Sequence, residues 1–173
     1  ATFLNPQSHP DARISVSGSV SRLSIKPKVA GEVGLPKHAV PALRISLAGA
    51  EGDYNRYRAV ELHGDPDQAL LLVTEDLLAQ LAAEGWPVRP GDLGENLTLR
   101  GIPEASLFPG VRLRVGPTEV EVTKPCDPCT ELYTLPYVGS ERGPDFLKVT
   151  NGRRGWYARV NAAGEIQAGA SVS

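Results

Sequence analysis

Two cysteines, Cys126 and Cys129, stand three residues apart in the segment KPCDPCTEL, and the 173-residue chain has no others. A thiol can act as nucleophile, redox partner, metal ligand or inert core group, and the surrounding residue types decide among these roles. A structural zinc site needs four ligands; here His9, His38 and His63 are scattered, with no second CxxC and no closely spaced histidine pair. A thioredoxin-like dithiol wants its CxxC at a helix N-terminus after a parallel strand, whereas Pro128 and a preceding hairpin point to a stiff loop. Two inert buried thiols form the bland reading, since free cysteine is among the most buried residue types. In the fourth reading Cys129 is a nucleophile or a soft metal ligand, presented by a loop that Pro125 and Pro128 stiffen. Spacing alone leaves all four open.

A second segment with binding potential is GDLGENLTLRGI, residues 91 to 102, a glycine-rich turn with Glu95 and Asn96 at its tip. Such a turn can bring backbone amides close to a ligand, and it can equally well do no more than reverse the chain.

The elements that must position these segments are mostly strands. The 18 glycines and 15 prolines are spread along the chain, which suits short strands joined by turns. VRLRV at 111 to 115 and TEVEVT at 118 to 123 alternate apolar and charged residues around Gly116-Pro117. Val111, Leu113, Val115, Val120 and Val122 should face a core, leaving Arg112 and Arg114 opposite Glu119 and Glu121. Residues 18 to 26 read as a strand, and residues 38 to 47 as another, broken by Pro41. ALLLV at 69 to 73 reads as a buried strand feeding a helix near 74 to 84. Thr74 caps that helix, Glu75 and Asp76 occupy its first turn, and Leu77, Leu78, Leu81 and Ala82 form its apolar stripe before Gly85 ends it. GWYARVNAAGEI at 155 to 166 reads as a strand, a turn around Ala163-Gly164, and a return.

With 18 basic and 20 acidic residues the formal net charge is -2, so no broad basic footprint for nucleic acid or anionic lipid is expected. No apolar run approaches the roughly 20 residues of a membrane-spanning helix. The opening ATFLNPQSHPDAR has neither the basic start nor the apolar stretch of a secretory signal, and the expected compartment is the cytoplasm. In a reducing cytosol a close cysteine pair is reactive or metal-binding rather than a structural staple. The length suits one domain with its own core.

Taken in order, GAEGDYNRYR (49 to 58), LHGDPDQAL (62 to 70), PGDLGENLTLRGI (90 to 102), PGVRLRVG (109 to 116), KPCDPCTEL (124 to 132) and GRRGWYARV (152 to 160) resemble the MOSC family. Its members are the C-terminal domains of molybdenum-cofactor sulfurases and their stand-alone bacterial relatives. The resemblance implies a mostly β fold, a MOSC-type β-barrel with a few short helices, over residues 18 to 173, with residues 1 to 17 as an N-terminal extension. It makes Cys129 the family's functional cysteine, either carrying sulfur as a persulfide or binding the molybdenum of a molybdopterin-type cofactor. Cys126 stands where many stand-alone relatives have arginine. That exchange removes a cation and adds a second thiol, which can resolve a persulfide as a disulfide. His63-Gly64-Asp65 replaces a stretch with a second glycine in many relatives.

The phosphate of a pterin cofactor calls for cations and backbone amides, so Arg56, Arg58, Lys124, Arg153 and Arg154 are candidates, with Gly94, Glu95, Asn96 and His63 around them. Asp53 and Glu95 are expected to fix loops or pair with those arginines, and Asn96 to donate to a ligand or cap its own turn. Three functions follow from the resemblance. The first is reduction of N-hydroxylated compounds with an external electron-transfer protein. The second is sulfur carriage from a cysteine desulfurase-like partner that holds its own pyridoxal phosphate. The third is a binding module without catalysis.

Overall fold

A computed structural model describes residues 17–54 and 64–173. Among these residues the strands are β1 (Gly18–Ile25), β2 (His38–Val40), β3 (Ala42–Ser46), β4 (Gly49–Ala50), β5 (Leu70–Thr74), β6 (Leu97–Arg100), β7 (Arg112–Val115), β8 (Thr118–Pro125), β9 (Trp156–Ala162), β10 (Gly164–Gln167) and β11 (Ser171–Val172). Two α-helices accompany them, α1 (Glu75–Ala83) and α2 (Gly139–Thr150). Neither helix is long and apolar enough to cross a membrane.

Seven strands close a barrel in the order β1, β6, β5, β9, β8, β7, β11, with β11 returning to β1 through Gly18↔Val172 and Ser19↔Ser171. Closure removes the unpaired edges that an open sheet must otherwise protect. Beyond β11, the same side of β1 pairs with β2 at Leu23, Ser24 and Ile25. The hairpin forms in the register its charges require, with Arg112 opposite Glu121 and Arg114 opposite Glu119. Val111, Leu113, Val115, Val120 and Val122 lie in the barrel core.

Pro41 divides the stretch at 38 to 47 more sharply than a single broken strand. Before it β2 pairs with β1; after it β3 joins a separate three-stranded sheet, β10-β3-β4. The segment after Ala163 likewise departs from a simple return: β10 pairs with β3 rather than folding back on β9.

All five residues of β5 are buried, because the barrel core covers one face and a second core the other. That two-sided burial explains a near-continuous apolar run in place of alternation. β5 runs parallel to β6, and α1 supplies the crossover that a parallel pair needs. Thr74 caps α1 as expected, its Oγ1 accepting from the Leu77 amide at 3.0 Å. Leu77, Leu78 and Leu81 pack inward, whereas Ala82, expected in the same stripe, is exposed.

The second core is completed by α2, which the sequence pattern did not mark. Gly139, Gly143 and Pro144 are poor helix formers, and tertiary packing overrides them. Phe146, fully buried, meets Trp86 at a ring-centroid distance of 4.8 Å and Tyr137 at 6.2 Å. Gly143 has a steric reason, since a Cβ there would lie 2.3 Å from the Tyr133 ring.

Candidate thiol site

β8 ends at Pro125, paired with Trp156 of β9, and the next amide, Cys126 N, donates to Gly155 O at 2.9 Å. The cysteine loop is thereby locked against the start of β9. Gly155 allows that approach: its φ is +108°, and a Cβ there would stand 2.6 Å from Leu72 O on β5. The residue before it, Arg154, is only 7% exposed. Its Nε donates to Leu93 O at 3.3 Å, and its Nη1 donates to Asp127 O at 3.2 Å and to Cys129 Sγ at 3.1 Å. Cys129 is exposed at the head of a short 3-10 turn, Thr130–Thr134, where the Leu132 amide donates to Cys129 O at 3.1 Å.

Cys126, unlike its exposed neighbour, is buried. It is 2% exposed, its Sγ donates to Asp127 O at 3.6 Å, and it shares a hydrogen bond with the Tyr157 side chain. Burial pushes its thiol up from the ordinary range, an effect that the Arg154 charge offsets in part. Tyr157 is pushed up as well, first by burial and then by Cys126.

Inward from the loop lies a polar recess. One cavity of about 50 Å³ is lined by Lys37, Tyr54, Gly94, Cys126, Arg154 and Tyr157, among others. It shares Lys37, Leu71, Gly94 and Tyr157 with another of about 70 Å³ that adds Asp53, Gln68 and Asn96. Lys37 and Asp53 form a buried ion pair, Nζ to Oδ2 2.7 Å, with side chains 7% and 10% exposed. Asp53 Oδ1 also accepts from the Lys26 amide at 2.9 Å. The thiol that lines the recess is Cys126.

Asn96 is committed to the protein. Its Nδ2 donates to Asp53 Oδ2 at 2.8 Å and to Ser24 O at 3.2 Å, while its Oδ1 accepts from the Leu71 amide at 3.1 Å, so one amide ties β1 to β5. Asp53, expected to fix a loop or to pair with an arginine, pairs with Lys37 and accepts from the Lys26 amide. Glu95 is wholly buried and accepts from Thr98 Oγ1 at 3.0 Å on Oε2; Oε1 has no hydrogen-bond partner among the described residues. Burial raises its carboxyl above the ordinary range. Gly94 borders both cavities with φ +88°, and a Cβ there would press on Leu35 at 3.2 Å.

The candidate cations part company. Arg154 reaches the thiol. Arg153 turns to the helix ends, donating to both Glu84 carboxylate oxygens at 2.6 and 2.7 Å and to Val149 O at 3.0 Å. Lys124 is exposed on β8, opposite Tyr157. Arg56, Arg58 and His63 lie outside the described residues. Lys37, Gln68 and Tyr157 were not singled out from the sequence. Lys37 follows Leu35-Pro36 in a stretch without periodicity, and only its apolar company hints at burial.

Comparison with known proteins bears on this arrangement. A family model described as MOSC domain matches residues 59–173, which span the cysteine loop, Arg154 and six of the seven barrel strands. The chain belongs to the MOSC domain family. Its remaining barrel strand, β1, precedes the matched span, yet the MOSC barrel closes only through it.

Protein YiiM of Escherichia coli (strain K12) is 31% identical to this MOSC protein over 136 residues, covering 75% of this chain. The chain spans 58% of the length of that relative. Among solved structures, YuaD protein from Bacillus subtilis superposes with a TM-score of 0.73 at 17% identity, covering 90% of this chain and 94% of its own. YiiM from Geobacillus stearothermophilus gives a TM-score of 0.65 at 24% identity, with 90% and 73% covered. At those identities the structural likeness speaks for the fold alone. Among the described residues no group of three or more His, Cys, Asp or Glu side chains could hold a metal ion.

Proposed function

We propose that this MOSC domain binds the molybdenum–pterin cofactor, with Cys129 as the protein's sulfur ligand to the metal. The observation that carries this reading is the exposed Cys129 thiol, hydrogen-bonded by the buried guanidinium of Arg154, a residue that also lines the polar recess. The donor set fits such a group. A thiolate is a soft ligand suited to molybdenum, Arg154 offers positive charge beside it, and the recess holds both donors and acceptors for a polar heterocycle.

When bound, the cofactor supplies two-electron redox chemistry, for which reduction of an N-hydroxylated compound with an external electron-transfer protein is the proposed use. The chain's own residues hold and orient: Arg154 fixes the Cys129 sulfur, and Gly94 keeps the recess open to close approach by backbone. A second reading is favoured by the position of Cys129 on an exposed loop, where a donor protein can reach it. There Cys129 carries a persulfide delivered by a cysteine desulfurase-like, pyridoxal-phosphate-dependent partner.

One preparation tests both. The chain is purified from cells able to make the cofactor, and bound molybdenum, pterin and intact mass before and after reduction are measured. Metal and pterin near one per chain support the cofactor reading. A reducible gain of one sulfur mass supports the carrier. Neither signal overturns both and leaves a non-catalytic module.

A further inference from the structure

Cys126 has no task in the cofactor reading, yet it is not an ordinary core cysteine. Both thiols are free and sit at the two ends of the Cys126–Cys129 segment. Arg154 Nη1 donates at once to Cys129 Sγ, at 3.1 Å, and to Asp127 O, at 3.2 Å; Cys126 Sγ donates to that same carbonyl at 3.6 Å. Cys126 Sγ and the guanidinium that holds Cys129 Sγ therefore share one acceptor, the carbonyl of the residue between the two cysteines. Arg154 is anchored on its far side by Leu93 O, so the charge stays with the sulfurs. A bridge here would close a loop with only Asp127 and Pro128 between its ends.

We propose that Cys126 and Cys129 form a hydroperoxide-operated dithiol, in which Cys129 is the peroxidatic sulfur and Cys126 resolves it. The exposed Cys129 thiolate attacks the terminal peroxide oxygen. The O–O bond breaks, the sulfur loses two electrons and becomes a sulfenic acid, and the hydroxide or alkoxide that leaves takes a proton from solvent to become water or an alcohol. The Cys126 sulfur then attacks the Cys129 sulfur. The S–O bond breaks, hydroxide leaves and takes the Cys126 proton as water, and an intrachain disulfide remains. An external dithiol reverses the bridge. Exposure decides the order, since peroxide meets Cys129 first while Cys126 is shielded.

The bridge removes from use the thiol that the proposed function needs and protects it from irreversible oxidation. The chemistry itself requires only the two sulfurs, so it stands or falls independently of any cofactor.

The test uses the reduced 173-residue chain, treated with hydrogen peroxide and followed by intact mass, by thiol titration in denaturant and by peptide mapping. The expected result is loss of both thiols, a mass lower by two hydrogens, a bridge between Cys126 and Cys129 within one peptide, and full recovery with dithiothreitol. Cys126→Ser should gain oxygen at Cys129, trapped by dimedone, and advance to the sulfinic acid in excess peroxide. The proposal is overturned if the wild type reaches sulfinic acid at Cys129 with Cys126 still titratable, or if the bridge joins two chains. Should Cys126→Ser fail to fold, the wild-type mass and thiol count decide alone.

Discussion

Arg154 and Arg153 are neighbours in sequence, but the structure gives them unrelated work, and replacing each with methionine separates the two roles. Arg154→Met keeps the buried hydrocarbon stem while deleting the charge and the hydrogen bonds to Leu93 O, Asp127 O and Cys129 Sγ. A hydrogen bond to a charged group contributes ~1.5–3 kcal/mol, so loss of the one to the Cys129 sulfur should slow its reaction with an electrophile by roughly ten- to a hundredfold. Leu93 is fully buried, and its carbonyl left without a donor costs about 1–3 kcal/mol of stability, whereas Asp127 sits on an exposed loop where water can replace the arginine. Arg153→Met breaks the partly exposed pair with Glu84, which is screened by solvent, and leaves the thiol untouched. The assay is the iodoacetamide alkylation rate of Cys129, read by mass spectrometry at neutral pH, beside urea denaturation of each variant. Equal alkylation rates in folded Arg154→Met and wild type would refute the reasoning, as would a slowing in Arg153→Met of the same size.

Further outcomes follow from the buried polar groups and the packing. Glu95, held above the ordinary glutamate range by burial, keeps a proton in the folded state that the unfolded chain has released. Stability is therefore full below the ordinary glutamate range and falls as pH rises toward the raised value, and Glu95→Gln should flatten that decline. Urea melts across pH check this; a wild-type-to-variant difference that does not grow with pH contradicts it. Asp53→Ala strands the Lys37 ammonium and should cost about 3–5 kcal/mol in denaturant unfolding; a loss below about 1 kcal/mol would show that the pair is not buried in solution. Gly143→Ala forces a methyl group into the Tyr133 ring and should lower stability by about 1–3 kcal/mol, measured by thermal melting; an unchanged melting temperature would place α2 differently.

Much of the barrel was legible because its physics is local. The VRLRV and TEVEVT alternation sets one face to the core and pairs charges across the strands, and both follow from period two alone. Thr74 with Glu75 and Asp76 marks a helix start by chemistry that is also local. The second helix escaped notice because Gly143 and Pro144 serve its packing at the expense of its propensity. At the site, the cysteine loop announced itself by type and spacing, but nothing near Lys37 in sequence reveals that it will pair with Asp53, or that Asn96 will bond the same carboxylate. Those contacts are made by barrel closure and by the β1–β5 tie. The same long-range geometry sorted Arg154 from Arg153, which sequence could only name together.

In the proposed function Cys129, not Cys126, is the working sulfur. Molybdenum and reducible sulfur bound per chain, measured side by side for Cys129→Ser and Cys126→Ser from cofactor-competent cells, test that most directly. The expected result is loss of whichever signal the wild type carries in Cys129→Ser and its retention in Cys126→Ser. Full retention in Cys129→Ser would contradict the account.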